Sequence, residues 1–83
     1  MKTLSQIELY ARVVKKFNYR CGLNPSHPVD PGTTPHHIIP RGAGGKDVEE
    51  NLIPLCAACH GKIHREGTRK WREKLVSKIH LTL

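Results

Sequence analysis

The stretch from His36 to His64 reads HHIIPRGAGGKDVEENLIPLCAACHGKIH and contains four of the six histidines and two of the three cysteines of the chain. It begins with two adjacent histidines, passes through Asn51, and ends with two histidines four residues apart, His60 and His64. If the segment after Cys59 is helical, residues at i and i+4 project from one face, so both imidazoles point toward one place. A helix presents two nitrogen ligands to one metal ion in this way.

A third imidazole can come from His36 or His37, which open the short apolar run HHII with the character of a strand. Neighbouring side chains on a strand face opposite ways, so only one of the two can face the ion. The other is then left unligated beside the ion, which is the arrangement wanted in a base that activates a water molecule. The pattern therefore predicts one divalent-ion site with a free imidazole next to it.

This order of residues resembles the HNH, or ββα-metal, nucleases, in a small phage-type form with a zinc knuckle. The likeness rests on His36-His37, then Asn51, then His60 and His64, with the glycine loop RGAGGKD before the asparagine. Its spacing is most similar to the colicin-type nucleases, and it covers about a third of the chain.

The resemblance implies an α+β fold with a small ββα-metal core and a role for each residue of the motif. It implies that His36, His60 and His64 hold the catalytic divalent ion, that His37 is the general base, and that Asn51 ties the loop so that His37 is held in position. It also implies a phosphodiesterase that acts on nucleic acid. Mg²⁺, Mn²⁺, Ni²⁺ and Zn²⁺ are the candidate catalytic ions, and imidazole ligands suit Ni²⁺ or Zn²⁺ better than Mg²⁺.

The length of 83 residues predicts a single domain over residues 1–83. A domain of this size buries too little apolar surface to be stable without a further staple, meaning a disulfide or a bound metal ion. Three cysteines cannot pair off completely as disulfides, and the N-terminus shows no secretory signal. We therefore expect reduced thiols, a stabilising metal ion and a cytoplasmic location. The resemblance implies that the cell is a bacterium or a phage-infected host. No apolar run is long enough to cross a membrane, so no membrane partner is expected.

The staple is predicted to be a structural Zn²⁺. Cys56 and Cys59 form a C-x-x-C knuckle at the start of the ligand-bearing helix, and Cys21 with His27 would complete a Cys₃His tetrahedron. In related nucleases with a zinc knuckle the first ligand pair is usually two cysteines, so His27 departs from that pattern, and Asp30 is another donor nearby. The alternative is a small buried Cys21 with His27 as an exposed loop residue.

The two metal sites are predicted to be separate. Adjacent residues on a helix differ by about 100° in direction, so Cys59 and His60 cannot easily converge on one ion. The knuckle would then lock the start of the helix whose next turns carry the catalytic ligands. A structural ion would in this way position a functional one.

Two amphipathic helices are predicted to flank the core. The first covers Thr3 to Phe17 and opens with Ser5 and Glu8 at the spacing of a capping box. Its apolar residues recur at three and four positions and form one stripe, which consists of Leu4, Ile7, Tyr10, Ala11, Val14 and Phe17. The second helix covers residues 68–83 after a break at Gly67, and its apolar face consists of Trp71, Leu75 and Ile79.

Between the first helix and the histidine motif, residues 18–35 are rich in Pro, Gly and Asn, which excludes long regular elements. That segment must therefore be held by something other than a strand ladder. Residues 36–40 and 52–55 are the two predicted strands, with prolines at residues 35 and 40 limiting the first.

The formal net charge of +7 and the pI near 9.7 favour a polyanionic partner, bound through phosphate contacts. Together with the resemblance, the charge makes DNA the expected partner. We expect the domain to bind it with little sequence preference. The resemblance also suggests phage packaging proteins as partners, and we expect a monomer or a weak dimer. The candidates to contact DNA phosphates are Arg41, Arg65, Arg69 and Arg72.

The predicted function is a metal-dependent endonuclease that nicks or cleaves DNA with one catalytic divalent ion and a histidine base. The alternative is a non-catalytic, zinc-stapled module that binds nucleic acid. Such a module would keep the three cysteines but would have no need for the four histidines of the motif. A metalloprotease would require a glutamate directly after the first helical histidine, where this chain has Gly61.

Overall fold

The computed structural model describes residues 3–80, which form three helices and a two-stranded antiparallel sheet. In chain order these elements are α1 (Leu4–Lys16), β1 (His36–His37), β2 (Leu52–Ile53), α2 (Ala57–Glu66) and α3 (Thr68–His80). Short 3₁₀ turns lie between the strands, at Arg41–Ala43 and Glu49–Asn51. The predicted α+β class, with a ββα core and a flanking helix at each end, is confirmed. The last three residues of the predicted C-terminal helix lie outside the described range.

Helix α1 begins at a capping box two residues before the predicted one. The Thr3 hydroxyl accepts a hydrogen bond from the Gln6 N–H (3.2 Å), and the Gln6 side-chain oxygen accepts one from the Thr3 N–H (2.8 Å). Thr3 has the extended backbone of an N-cap (φ −75°, ψ 163°), whereas Ser5 and Glu8 already lie inside the helix. The predicted Ser5–Glu8 box is therefore wrong.

The buried face of α1 also differs from the predicted stripe. Tyr10, Val13 and Val14 are buried, while Leu4 and Ile7 are 71% and 51% exposed. Tyr10 and Val13 lie midway along the helix and pack against β2 in a small apolar cluster. The stripe is wrong at Leu4, Ile7 and Ala11, which are exposed, and it leaves out the buried Val13. Only part of the helix surface meets the rest of the protein.

The segment between α1 and β1 contains no long regular element, as predicted, but one isolated bridge joins its two sides. Arg20 and Pro28 form an isolated antiparallel bridge, and the Cys21 N–H donates to the His27 carbonyl (2.8 Å). The bridge is a single residue pair and not a ladder, so the segment has no strand of its own. The bridge folds the loop back so that Cys21 and His27 lie side by side.

The sheet pairs His36 with Ile53 and His37 with Leu52. Each strand has two residues, fewer than predicted. Prolines explain the short pairing, because a proline has no N–H to donate to a ladder, and residues 35, 40 and 54 at or near the strand ends are all proline. The sheet therefore does little more than fix the two histidines of β1 against β2.

The main core lies between the sheet, α2 and α3, and its buried members are Cys21, Ile38, Ile53, Leu55, Ile63, Leu75 and Ile79. Trp71 packs against this core with Leu75 and Ile79, as predicted for the apolar face of α3. Gly67 separates α2 from α3 with φ of 99°, a conformation that glycine adopts without a Cβ clash. Within the described residues, no helix has the length and apolar character that crossing a membrane requires.

Candidate metal centres and active site

Helix α2 carries donors of both predicted metal sites. Cys56 is its N-cap, with an extended backbone, and its Sγ accepts a hydrogen bond from the Cys59 N–H (3.4 Å). His60 and His64 follow one turn apart on the same helix. The C-x-x-C knuckle therefore starts the helix, and the histidine pair follows directly.

A thiol cluster forms where the start of α2 meets the loop after α1. The Sγ atoms of Cys21, Cys56 and Cys59 all lie within 4.8 Å of one another, and His27 Nδ1 lies 3.5 Å from Cys56 Sγ. Tetrahedral Zn–S and Zn–N bonds of about 2.3 and 2.0–2.1 Å place two ligands about 3.6 Å apart, so this distance fits two donors of one ion. Asp30, the other donor considered, accepts a hydrogen bond from a backbone N–H in its own turn.

The chemistry of the thiol cluster fits a cation. Burial raises the pKa of Cys59 to about 12, and the neighbouring thiols Cys56 and Cys21 add to this effect. Burial acts in the same direction on Cys56, but hydrogen bonds from Cys59 and His27 outweigh it and lower that pKa to about 6. Three thiolates this close need a positive charge between them, and three sulfurs with one imidazole are a donor set for structural Zn²⁺.

An imidazole cluster forms on the other side of the same helix turn. One ring nitrogen each from His36, His60 and His64 lies within 4.8 Å of the others, and the Nε2 atoms of His60 and His64 are 3.0 Å apart. Nε2 of His36 is buried and has no hydrogen-bond partner among residues 3–80. A buried polar atom without a partner is costly, so a metal ion at this point would satisfy it. The three residues fit a divalent ion.

Two rings of this cluster, those of His36 and His60, are held in the form that binds metal. Burial, and then repulsion from His60, His64 and His37, lowers the pKa of His36 to about 4. Burial, and then the neighbouring His64, also lowers the pKa of His60. Neutral imidazole carries the lone pair that a metal accepts, so both rings are ready to bind at neutral pH.

A cleft of about 330 Å³ opens over the imidazole cluster, and its lining includes His37 as well as the three clustered histidines. His60 and His64 are exposed, while His36 forms the buried floor. His37 thus lies on the same cleft but outside the group of three donors. This arrangement matches a metal site with an open position, which is typical of catalytic centres.

His37 makes a close contact that the sequence did not predict. Its Nε2 lies 2.6 Å from Oδ1 of Asp47, and the same oxygen accepts a hydrogen bond from the Tyr10 hydroxyl (3.1 Å). The other carboxylate oxygen, Oδ2, accepts from Gln6 (2.9 Å) and Arg41 (2.6 Å). The hydrogen bonds from Gln6 and then from His37 are the main causes that lower the pKa of Asp47 to about 2. The signal in the sequence was that Asp47 ends the glycine loop and is the first carboxylate after the histidine pair.

Asn51 joins the two ends of the loop that follows β1. Its side-chain oxygen accepts from the Ile39 N–H (2.8 Å), and its amide donates to the carbonyls of Ile39 (3.1 Å) and Lys46 (3.0 Å). A Cβ at Gly45 would collide with the Ile39 carbonyl, so the loop needs glycine there. The asparagine is 9% exposed, and its amide closes the loop between the two strands.

The four arginines predicted to contact phosphate lie in different surroundings. Arg41 donates to Asp47 and to the Tyr10 hydroxyl (2.9 Å), so one end of its guanidinium is engaged within the protein. Arg65 on α2 and Arg69 on α3 are exposed, whereas Arg72 is half-buried. Arg41 is exposed as well, so Arg72 is the least accessible of the four.

Comparison with known proteins places these residues in one family. The family model described as HNH endonuclease matches residues 20–66, more than half of the chain. The type IV methyl-directed restriction enzyme EcoKMcrA of Escherichia coli (strain K12) is 40% identical over 35 residues, which are 42% of this chain and 13% of that enzyme. Anaredoxin of Nostoc sp. (strain PCC 7120 / SAG 25.82 / UTEX 2576) is 43% identical over 30 residues, 36% of this chain and 40% of that protein.

These two relatives are matched over less than half of their own lengths. No solved structure matches the chain significantly. The family match, however, contains both donor clusters, the two strands and α2, so it covers the whole ββα core described above. The chain therefore belongs to the HNH endonuclease family.

Proposed function

We propose that this chain is a metal-dependent endonuclease that hydrolyses phosphodiester bonds of DNA, by nicking one strand or cleaving both. The observation that carries the proposal is the convergence of His36, His60 and His64 beneath a cleft that His37 also lines. Family membership supports the same activity.

The residues of the cleft suit the demands of phosphodiester hydrolysis. A charged phosphate repels an anionic nucleophile, and the departing alkoxide is a poor leaving group, so the site must supply positive charge. A divalent ion bound to His36, His60 and His64 supplies that charge as a Lewis acid. Because the three ligands are neutral, the protein itself adds no negative charge at this point.

His37 acts as the general base and takes a proton from the attacking water. It lines the cleft and is not one of the three clustered donors, so its ring stays available for proton transfer. Asn51 acts on the backbone instead: it ties the loop that leaves β1 and so keeps His37 in place.

A structural Zn²⁺ held by Cys21, Cys56, Cys59 and His27 is the second part of the proposal. The three cysteines converge, and His27 lies at ligand-to-ligand distance from one of them. At the catalytic site Mg²⁺, Mn²⁺, Ni²⁺ and Zn²⁺ are all candidates, and imidazole ligands favour the softer ions of this set.

DNA is the proposed substrate, and the net charge of +7 together with the exposed Arg65 and Arg69 favours phosphate contacts. Arg41, which is exposed but hydrogen-bonded to Asp47 and Tyr10, and the half-buried Arg72 are further candidates for the same role. A single domain over residues 1–83, a cytoplasmic location, phage packaging proteins as partners, and a monomeric or weakly dimeric state stay predictions from the sequence and the resemblance.

Relaxation of supercoiled plasmid tests the proposed activity. Wild-type protein should relax plasmid with Mg²⁺, Mn²⁺, Ni²⁺ or Zn²⁺ and not with EDTA, and His37→Ala should lower the rate by about 10²–10⁴-fold. Ser77→Ala, on the exposed face of α3, controls for the purification. Relaxation at the wild-type rate in His37→Ala would remove the proposed base. A gel shift without relaxation under any ion would favour the non-catalytic nucleic-acid-binding module.

A further inference from the structure

Asp47 is the centre of a hydrogen-bond network that joins three parts of the chain. Its Oδ1 accepts from Tyr10 and contacts His37 Nε2, and its Oδ2 accepts from Gln6 and Arg41. Two of these partners come from α1, one from β1 and one from the loop after β1. Each carboxylate oxygen therefore has two partners, which fixes the orientation of the carboxylate.

The ionisation of Asp47 decides which ring nitrogen of His37 carries a proton. A carboxylate has no proton of its own and can only accept hydrogen bonds. The 2.6 Å contact with His37 Nε2 therefore requires the proton to sit on that nitrogen. A neutral imidazole has one N–H, so Nδ1 keeps its lone pair.

We infer that Asp47 is a positioning residue, which holds His37 in the Nε2–H tautomer so that Nδ1 is the atom that accepts the proton of the attacking water. This inference rests on the proposed nuclease function. In the step it describes, the O–H bond of the water breaks, the proton goes to Nδ1, and the oxygen forms the new bond to phosphorus. The P–O bond to the leaving oxygen breaks, the leaving oxygen takes a proton from solvent water, and the proton on Nδ1 later returns to solvent.

The same contact stabilises the state that follows proton transfer. Once Nδ1 has taken the proton, His37 is a cation whose Nε2–H still faces the Asp47 carboxylate at hydrogen-bond distance. A carboxylate that orients a histidine base and stabilises its charged form is a known device of hydrolases. The carboxylate thus serves the base before and after the transfer.

Helix α1 supports the contact between Asp47 and His37, although it lies outside residues 20–66, which match the family. The Gln6 side chain makes two hydrogen bonds. Its oxygen accepts from the Thr3 N–H in the capping box of α1, and its nitrogen donates to Asp47. Tyr10 donates to the same carboxylate from the next turn of the helix and packs in the core cluster shared with β2. Helix α1 therefore helps to hold the Asp47 carboxylate, which in turn orients His37.

The tautomer of His37 gives a test that needs no enzymatic activity. Long-range ¹H–¹⁵N spectra of the zinc-loaded protein, recorded where the ring is neutral, show which nitrogen is protonated. We expect Nε2–H in wild type, and a loss of this single tautomer in Asp47→Ala. A proton on Nδ1 in wild type, or an unchanged tautomer in Asp47→Ala, would overturn the inference.

Kinetics of plasmid nicking give the second test. Asp47→Ala should lower kcat by about 10–100-fold with little change in KM, because the substrate still binds while the base is poorly oriented. Asp47→Asn, which keeps the size of the side chain, should also lower kcat if Asp47→Ala folds poorly. Glu8→Ala removes an exposed carboxylate from α1 with the same change in charge and should keep the wild-type kcat.

A wild-type kcat in both Asp47 variants, or an effect on KM alone, would contradict the positioning role. If the wild-type protein nicks no DNA under any ion, the proposed function fails, and the tautomer spectra still decide whether Asp47 orients His37. The two failures are therefore distinguishable.

Discussion

The thiol cluster and the imidazole cluster share helix α2 but differ in access to solvent. The first has a fully buried member, Cys21, and a fourth donor beside it, whereas the second has two exposed members on a cleft. Closed four-ligand sites are typical of structural zinc, and open sites of catalytic metal. Cys59 and His60 are neighbours, yet helix geometry turns them about 100° apart and assigns one to each cluster. One helix can therefore serve stability and chemistry at once.

The largest effect should come from removing one donor from each cluster in turn. Cys59→Ser should lose zinc and unfold, because a structural zinc contributes about 10–16 kcal/mol and this core is small. His64→Ala should keep its zinc and its fold while losing the exchangeable second ion. Metal analysis and circular dichroism on both variants measure the contrast. A folded, zinc-free Cys59→Ser would break the distinction between the clusters.

The two clusters should also differ in how acid weakens their metal binding. Cys59, with its pKa near 12, must lose a proton to bind, so lowering the pH from 7.5 to 5.5 should cost the thiol cluster at least about 100-fold in zinc affinity. His36 stays neutral until about pH 4, and the pKa of His60 is also lowered. The imidazole cluster should therefore lose less than about 100-fold, where three ordinary histidines would lose about 1000-fold.

Chelator competition, with Zn²⁺ for the thiol cluster and Ni²⁺ for the imidazole cluster, measures both affinities at the two pH values. The sign is the same for both: affinity falls as the pH falls, because protons compete for the donors. An imidazole cluster that loses affinity as steeply as the thiol cluster would contradict the burial of His36.

The parts of the site that the sequence could predict are those set by local geometry. The spacing of His60 and His64, and of Cys56 and Cys59, is enough to place each pair once a helix is assumed, and the structure brings both pairs together with donors from elsewhere. The end of α2 at Gly67 was predictable for the same reason.

The parts that could not be predicted depend on contacts between distant segments. Gln6 and Asp47 are 41 residues apart, and no periodicity links them. The buried face of α1 was partly wrong because β2 meets only the middle of the helix, a matter of tertiary packing. The capping box was wrong because Thr3 and Ser5 are both good caps, and only the backbone decides between them.

The smallest effect should come from Asn51, which supports the loop beside the imidazole cluster without being a metal ligand. Asn51→Ala leaves three backbone groups of Ile39 and Lys46 without their partner, which should cost about 1–3 kcal/mol in the free energy of unfolding. Zinc content should stay at the wild-type level, since the thiol cluster does not depend on this loop. Urea unfolding of the zinc-loaded protein measures the cost.

Asn51→Asp is the matched variant, because it keeps the oxygen that accepts from Ile39 but places a charge where the amide donated to two carbonyls. It should destabilise the protein at least as much as Asn51→Ala, since a carboxylate facing two carbonyl oxygens is repelled. Wild-type stability in both variants would show that the loop is held by other contacts. Loss of zinc in either variant would show that the two halves of the molecule are coupled, and that the thiol cluster does not stand alone.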